Sequence, residues 1–159
     1  MMVRFMGTAA LLALLPAGHA AAQTPRPEVR SADLPHLMID RPQTAPFRSD
    51  EIELQLKPAK TPGWRLEYKV AMKAGDALLY SLTASEPVIS EFHNEMASNK
   101  AVMFYREEAV TTASHGQFIA PGDGDHGWYI ANTTDKPVTI RLKLSGYYTD
   151  GPGLIPIAK

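Results

Sequence analysis

From Glu51 onward, apolar residues of this chain fall on every second position. Ile52, Leu54 and Leu56 alternate with Glu51, Glu53, Gln55 and Lys57; Trp64, Leu66, Tyr68, Val70 and Met72 alternate with Arg65, Glu67, Lys69 and Ala71. A strand sends successive side chains to opposite faces, so this pattern buries one face of a sheet and wets the other. Further stretches read as strands: Ala77–Thr83, Val88–His93, Ala101–Arg106, Gly116–Ala120, Gly127–Ala131 and Val138–Ser145. Turn formers separate them at Gly75-Asp76, Glu86-Pro87, Pro121-Gly122, Gly124-Asp125 and 134–137. No long segment carries a helical period, and there is no internal repeat. About eight short strands at this spacing predict an all-β chain, a single antiparallel β-sandwich or jelly roll.

Residues 1–22 read as a secretory signal. Arg4 supplies the positive region, Thr8–Leu15 the apolar one, Pro16 and Gly18 break it, and Ala20-Ala21-Ala22 forms a cleavage site before Gln23. The apolar run is shorter than the roughly 20 residues of a membrane span. The expected location is periplasmic or secreted; the competing reading keeps the segment as an N-terminal membrane anchor. Residues 23–48 form a Pro-rich arm or linker, punctuated by Pro25, Pro27, Pro35, Pro42 and Pro46, with an apolar island at Leu34, Leu37, Met38 and Ile39. The sandwich then occupies 49–148, and the Gly/Pro-rich residues 149–159 are expected to be an irregular tail.

Charge excludes several partner classes. Loss of Arg4 with the signal would leave 15 of the 16 Lys and Arg against 17 Asp and Glu. A near-neutral chain without a basic cluster does not call for nucleic acid or an anionic lipid surface, so membrane contact is expected only through an uncleaved N-terminal segment. The chain has no Cys, hence neither a disulfide framework nor a lipidated cysteine. Stability must come from an ordinary apolar core, which a domain of this size can build.

The order of short motifs adds a resemblance. Gly75-Asp76 opens a strand; Phe118-x-Ala120-Pro121 precedes a Gly-bearing turn; an aromatic strand ends at Asn132; Val138-x-Ile140-x-Leu142 follows. In these features the segment from about Trp64 to Tyr148 resembles the GOLD-like β-sandwich of cargo receptors. It also looks like bacterial envelope proteins described as transmembrane-anchor proteins. The shared order appears here as Ala74-Gly75-Asp76, Tyr80, Ser85-Glu86-Pro87, Phe92-His93, His126-Gly127-Trp128, Asn132, Pro137-Val138 and Gly146-Tyr147. The resemblance implies a non-enzymatic binding or tethering module and supplies no ligand.

Few residues point to chemistry. A strand through Glu91-Phe92-His93-Asn94-Glu95 places Glu91, His93 and Glu95 on one face with Phe92 turned to the core, a set able to bind Zn²⁺ or Cu²⁺. The plainer reading is a solvated outer face. His126 shares a face with Trp128 and Ile130; it either packs at the core edge and bonds a turn carbonyl, or pairs with His93 across the sandwich mouth. His115, in the loop expected at 111–116, could join them, and Met96 and Met103 could add thioethers for Cu(I). A cupin-like metalloenzyme is a third reading, although Pro121, Gly124 and His126 stand out of register with the cupin motif and Glu91-x-His93-x-Glu95 lacks one of its histidines. With no Cys, no nucleophile elbow and no phosphate loop, catalysis is not expected. Trp64, Tyr68, Tyr80, Phe92, Phe104, Phe118 and Trp128 are expected to point inward, and Tyr105, Tyr129, Tyr147 and Tyr148 to form an exposed patch for a protein or glycan. The leading expectation is a non-enzymatic binding or accessory module of the envelope, acting through loops at one end of the sandwich. The alternative is a periplasmic Zn- or Cu-binding protein using His93 and His126.

Overall fold

The computed structural model describes residues 40–43, 45–96 and 101–157. Residues 1–22, expected to be a signal, and nearly all of the expected arm with its apolar island lie outside the described residues. The strands belong to a compact unit, Pro42–Lys159. In chain order they are β1 (Phe47–Leu56), β2 (Arg65–Met72), β3 (Ala77–Met96), β4 (Val102–Ile119), β5 (Gly124–Asn132), β6 (Val138–Tyr147) and β7 (Thr149–Pro156). They form one antiparallel, curled sheet in the order β1-β6-β3-β5-β2-β7, with β4 on the remaining side of β3.

The all-β architecture follows the alternation, with two changes. The stretches on either side of Ser85-Glu86-Pro87 are one long strand, β3, and the two expected strands within 101–120 are β4. Residues Leu78–Ala84 of β3 pair with β6, and Val88–Met96 pair with β5. The β3–β4 ribbon therefore folds over at 85–87 and contributes to both layers: β1, β6 and the first half of β3 in one, and β7, β2, β5 and its second half in the other. Pro87 sits where β3 has no ladder partner, so its missing N–H costs nothing. The tail is the second change. β7 pairs with β2 through a register shift at Lys69/Val70, and its two prolines are tolerated because it is an edge strand.

The inward faces meet in an aromatic stack. Phe92 lies parallel to Trp128 at 4.5 Å, Tyr80 stands edge-on to Trp128 at 5.1 Å, and Phe118 meets Phe92 edge-on at 4.8 Å. Leu78, Leu82, Ile140, Leu142 and Leu144 complete the core of the first layer. Each such side chain contributes on the order of 1.5–3 kcal/mol by leaving water. Phe104 departs from expectation and is 52% exposed on β4. Tyr148 departs the other way: it is buried, and its hydroxyl donates to Asp50 at 2.6 Å. Tyr105 is half-buried against Phe92 and Phe118, so these two tyrosines belong to no exposed patch.

The two ends of the sandwich differ. At the end where β5 stops and β6 starts, Asn132 is fully buried and holds three segments together. Its amide donates to the carbonyls of Lys57 at 2.8 Å and Lys136 at 2.6 Å, and its oxygen accepts from Thr134 N and Oγ1, both at 2.8 Å. The opposite end is an open mouth.

Candidate functional site

The mouth is built from the β2–β3 and β4–β5 turns. Gly75 adopts φ +86°, a left-handed conformation that glycine alone takes without strain, and this sets the turn. Its N–H donates to Ala120 O at 2.7 Å, and Ala120 N returns a bond to Asp76 O at 2.9 Å. The buried Asp76 carboxylate accepts from Lys73 N at 2.8 Å, and Asp123 accepts from Ala74 N at 2.9 Å. The Ala74 amide, assisted by Lys73, holds the Asp123 carboxyl below the usual carboxylate range. Between the turns lies a cavity of about 540 Å³ whose polar lining is Lys73, Asp76, Asp123, Asp125 and Thr149.

His126 serves this mouth from inside the sandwich. Its Nε2–H donates to Gly122 O at 3.1 Å, and its Nδ1 accepts the Tyr105 hydroxyl at 3.0 Å. This is the turn-carbonyl role the sequence offered for it. Burial holds the ring's pKa below the ordinary histidine value and pushes the Tyr105 phenol up to about 12.

His93 faces the other way. It is opposite Gly127 in the β3–β5 ladder, whereas His126 is opposite Asn94, so the two rings lie on opposite sides of the sheet. The register therefore does not pair His93 with His126, contrary to expectation. His115 is on β4 rather than in a loop, and its Nδ1 lies 2.9 Å from Oγ of Ser81, its ladder partner on β3. Met103 is also on β4; of Met96 only the backbone is described. Among the described residues, no three His, Cys, Asp or Glu side chains converge in a geometry able to hold a metal ion.

Glu91, His93 and Glu95 do share the outer face, but His93 is not solvated there. It is 5% exposed, and its Nδ1–H donates to Glu91 O at 3.2 Å while Phe104 packs on the ring. Its Nε2 stands 3.7 Å from Glu67 Oε1, and the other Glu67 oxygen lies 3.0 Å from Lys69 Nζ. Lys69 is itself buried. Gly127 makes this arrangement possible: it lies between Lys69 and His93 in the ladder and puts no side chain between them. A Cβ at Gly127 would stand 2.0 Å from Tyr68 O. By alternation Glu67 and Lys69 fall on the wetted face, whereas Lys69 is buried here; the glycine between His126 and Trp128 is the mark in the sequence of this close approach.

The two outer faces differ in charge. On the first layer, Glu51 pairs with Lys143 at 3.2 Å and Glu53 with Arg141 at 3.4 Å. On the second, the register places Glu67, Glu91, Glu95, Glu107 and Asp125 together, against Lys69 and Arg65. Asp125 belongs to both this face and the mouth, so carboxylates run from one to the other.

Comparison with known proteins bears on the fold. The chain is similar in structure to the Yersinia pseudotuberculosis-derived mitogen (YPM), with a TM-score of 0.50 and 8% identity over 69% of this chain and 98% of that one. No family model matches the sequence, and no curated protein does. At this identity the likeness speaks to the antiparallel all-β architecture alone. Among the described residues, no helix is long and apolar enough to cross a membrane.

Proposed function

We propose that this chain is a non-catalytic binding or accessory module of the cell envelope, of GOLD-like type, that engages a basic partner through its mouth and the adjoining outer face. One observation carries the reading: the carboxylates of the cavity continue through Asp125 onto the second layer and outnumber the lysines beside them, Lys73 at Asp123 and Lys69 at Glu67, whereas Glu51 and Glu53 of the first layer are matched by Lys143 and Arg141. Among the described residues, the excess of carboxylates thus lies on the second layer and the mouth. Such asymmetry steers and orients a partner of opposite sign and weakens with salt. The N-terminal segment, Arg4 followed by an apolar run and Ala20-Ala21-Ala22, supports an envelope setting.

The test is binding of a fluorescent lysine-rich peptide to the full chain, followed by anisotropy across a salt titration. Binding that falls with salt and weakens in Asp123→Asn/Asp125→Asn, but not in Glu51→Gln/Glu53→Gln, supports the reading. Equal binding of a glutamate-rich peptide, or equal loss in both variants, refutes it.

A further inference from the structure

We propose that the mouth cavity is a seat for an alkyl ammonium group, the side chain of a lysine that the partner presents, with Asp76 supplying the oxygen that receives it. This rests on the reading above and names the group by which the partner is recognised.

Asp76 carries the argument. It is 7% exposed, yet it lines the cavity. Its Oδ2 is taken by Lys73 N at 2.8 Å, within the turn. Among the described residues no donor meets Oδ1, and that oxygen is not sealed inside the protein, so it opens onto the cavity. A carboxylate largely withdrawn from water needs a cation or further donors to offset its lost hydration. Among the described residues the chain provides no cation there. Lys73 Nζ reaches Asp123 at 3.5 Å with its side chain 82% exposed, and burial keeps the nearby His126 ring neutral. Asp123 and Asp125 line the same cavity, so a cation that enters meets two more carboxylates.

The cavity also selects which cation. Its volume of about 540 Å³ lies within the range of ligand pockets, roughly 300–1,000 Å³. Ala45, Ala71 and Met72 give its wall an apolar stretch, which matches methylene groups and offers nothing to a bare ion. A metal ion needs several ligands at once, and among the described residues no three His, Cys, Asp or Glu side chains converge to hold one. A lysine side chain meets both parts of the wall, with an apolar stem and a compact ammonium carrying three donors. Arginine fits less well. Its planar fork is best matched by both oxygens of one carboxylate, and Asp76 offers one.

The experiment titrates the isotope-labelled full chain, followed by NMR, with three capped peptides of glycine and serine whose central residue is lysine, arginine or norleucine. The lysine peptide should shift the amides of 73–76 and 123–125 and bind at least fivefold more tightly than the arginine one; norleucine should give no saturable shift. Asp76→Asn keeps an oxygen for Lys73 N and removes the charge. Ala45→Phe keeps every charge and fills the cavity, and it decides the matter should the first variant fail to fold. Each should raise the Kd of the lysine peptide at least tenfold. Unchanged lysine binding in the folded variants, or equal binding of the arginine or norleucine peptide, overturns the seat. The basic-partner reading then stands alone if the lysine-rich peptide still binds with salt dependence through Asp123 and Asp125. Asp76-dependent binding of the single-lysine peptide, beside a lysine-rich peptide that binds no better than a glutamate-rich one, keeps the seat and overturns that reading. Free n-butylamine binding tenfold more tightly than the lysine peptide overturns the partner as the source of the ammonium. A stabilisation by Ca²⁺ that is lost in Asp76→Asn, with no shift from any peptide, gives the cavity to a metal ion and overturns the seat.

Discussion

Replacing Asn132 tests whether one buried amide closes the lower end of the sandwich. Its side chain makes four hydrogen bonds, to Lys57 O, Lys136 O, Thr134 N and Thr134 Oγ1. At a net value of roughly 1 kcal/mol each, Asn132→Ala removes about 4 kcal/mol at most. Part of this returns, because Thr134 Oγ1 keeps its bond to Lys136 O at 3.2 Å and the exposed side of that turn regains water. The expected loss is therefore about 2–4 kcal/mol, a large share of the 5–15 kcal/mol typical of a domain. Urea unfolding of the full chain, followed by tryptophan fluorescence, reads it directly. Asn132→Asp sharpens the test: it keeps the acceptor for Thr134 but turns an oxygen toward two carbonyls, so it should cost as much as alanine or more. A loss below about 1 kcal/mol for alanine, or a tolerated aspartate, would refute the claim that this amide ties the three segments together.

Other consequences are open to measurement. Gly127→Ala should abolish cooperative unfolding or leave an insoluble chain, since its Cβ would meet the Tyr68 carbonyl, which is backbone and cannot step aside; normal expression and a normal melt would count against the close approach. Because burial lowers the His126 pKa, the folded state favours the neutral ring. That contribution is present above the unfolded value of about 6.5 and is lost as pH falls below it, so wild type should lose more stability than His126→Phe between neutral and mildly acid pH. Parallel curves would remove His126 from that role. Both His126 nitrogens are engaged, so any thermal shift produced by Zn²⁺ or Cu²⁺ should survive His126→Ala; its disappearance would put a metal at that ring.

Much of the architecture was legible because period-two alternation is local. Ile52, Leu54 and Leu56 announce β1, and Val138, Ile140 and Leu142 announce β6. What the alternation cannot carry is which strand lies beside which. Ser85-Glu86-Pro87 has turn chemistry, yet the chain only bends there, because β3 changes partners rather than direction within its ribbon. Residues 149–156 look irregular, yet pair with β2 through the bulge at Lys69/Val70. The candidate site was legible in its parts and hidden in its assembly. Turn residues marked the mouth, and alternation grouped Glu91, His93 and Glu95. That His93 meets Glu67 and Lys69 across Gly127, and never His126, depends on a register between strands distant in sequence.

The folded-over ribbon also dictates the order of events as the chain acquires its structure. β3 and β4 adjoin in sequence, so their ladder closes the shortest loop and can form on a microsecond scale. The other ladders close long loops; Phe47 pairs with Tyr147, and Leu66 with Pro156. Such pairings place a domain among slow folders, at roughly milliseconds to seconds. The earliest ladder is thus the one that carries the exposed side chains of Val102 and Phe104, and it waits while the terminal strands arrive. Refolding yield should therefore fall steeply with protein concentration, and charging Val102 and Phe104 should restore it.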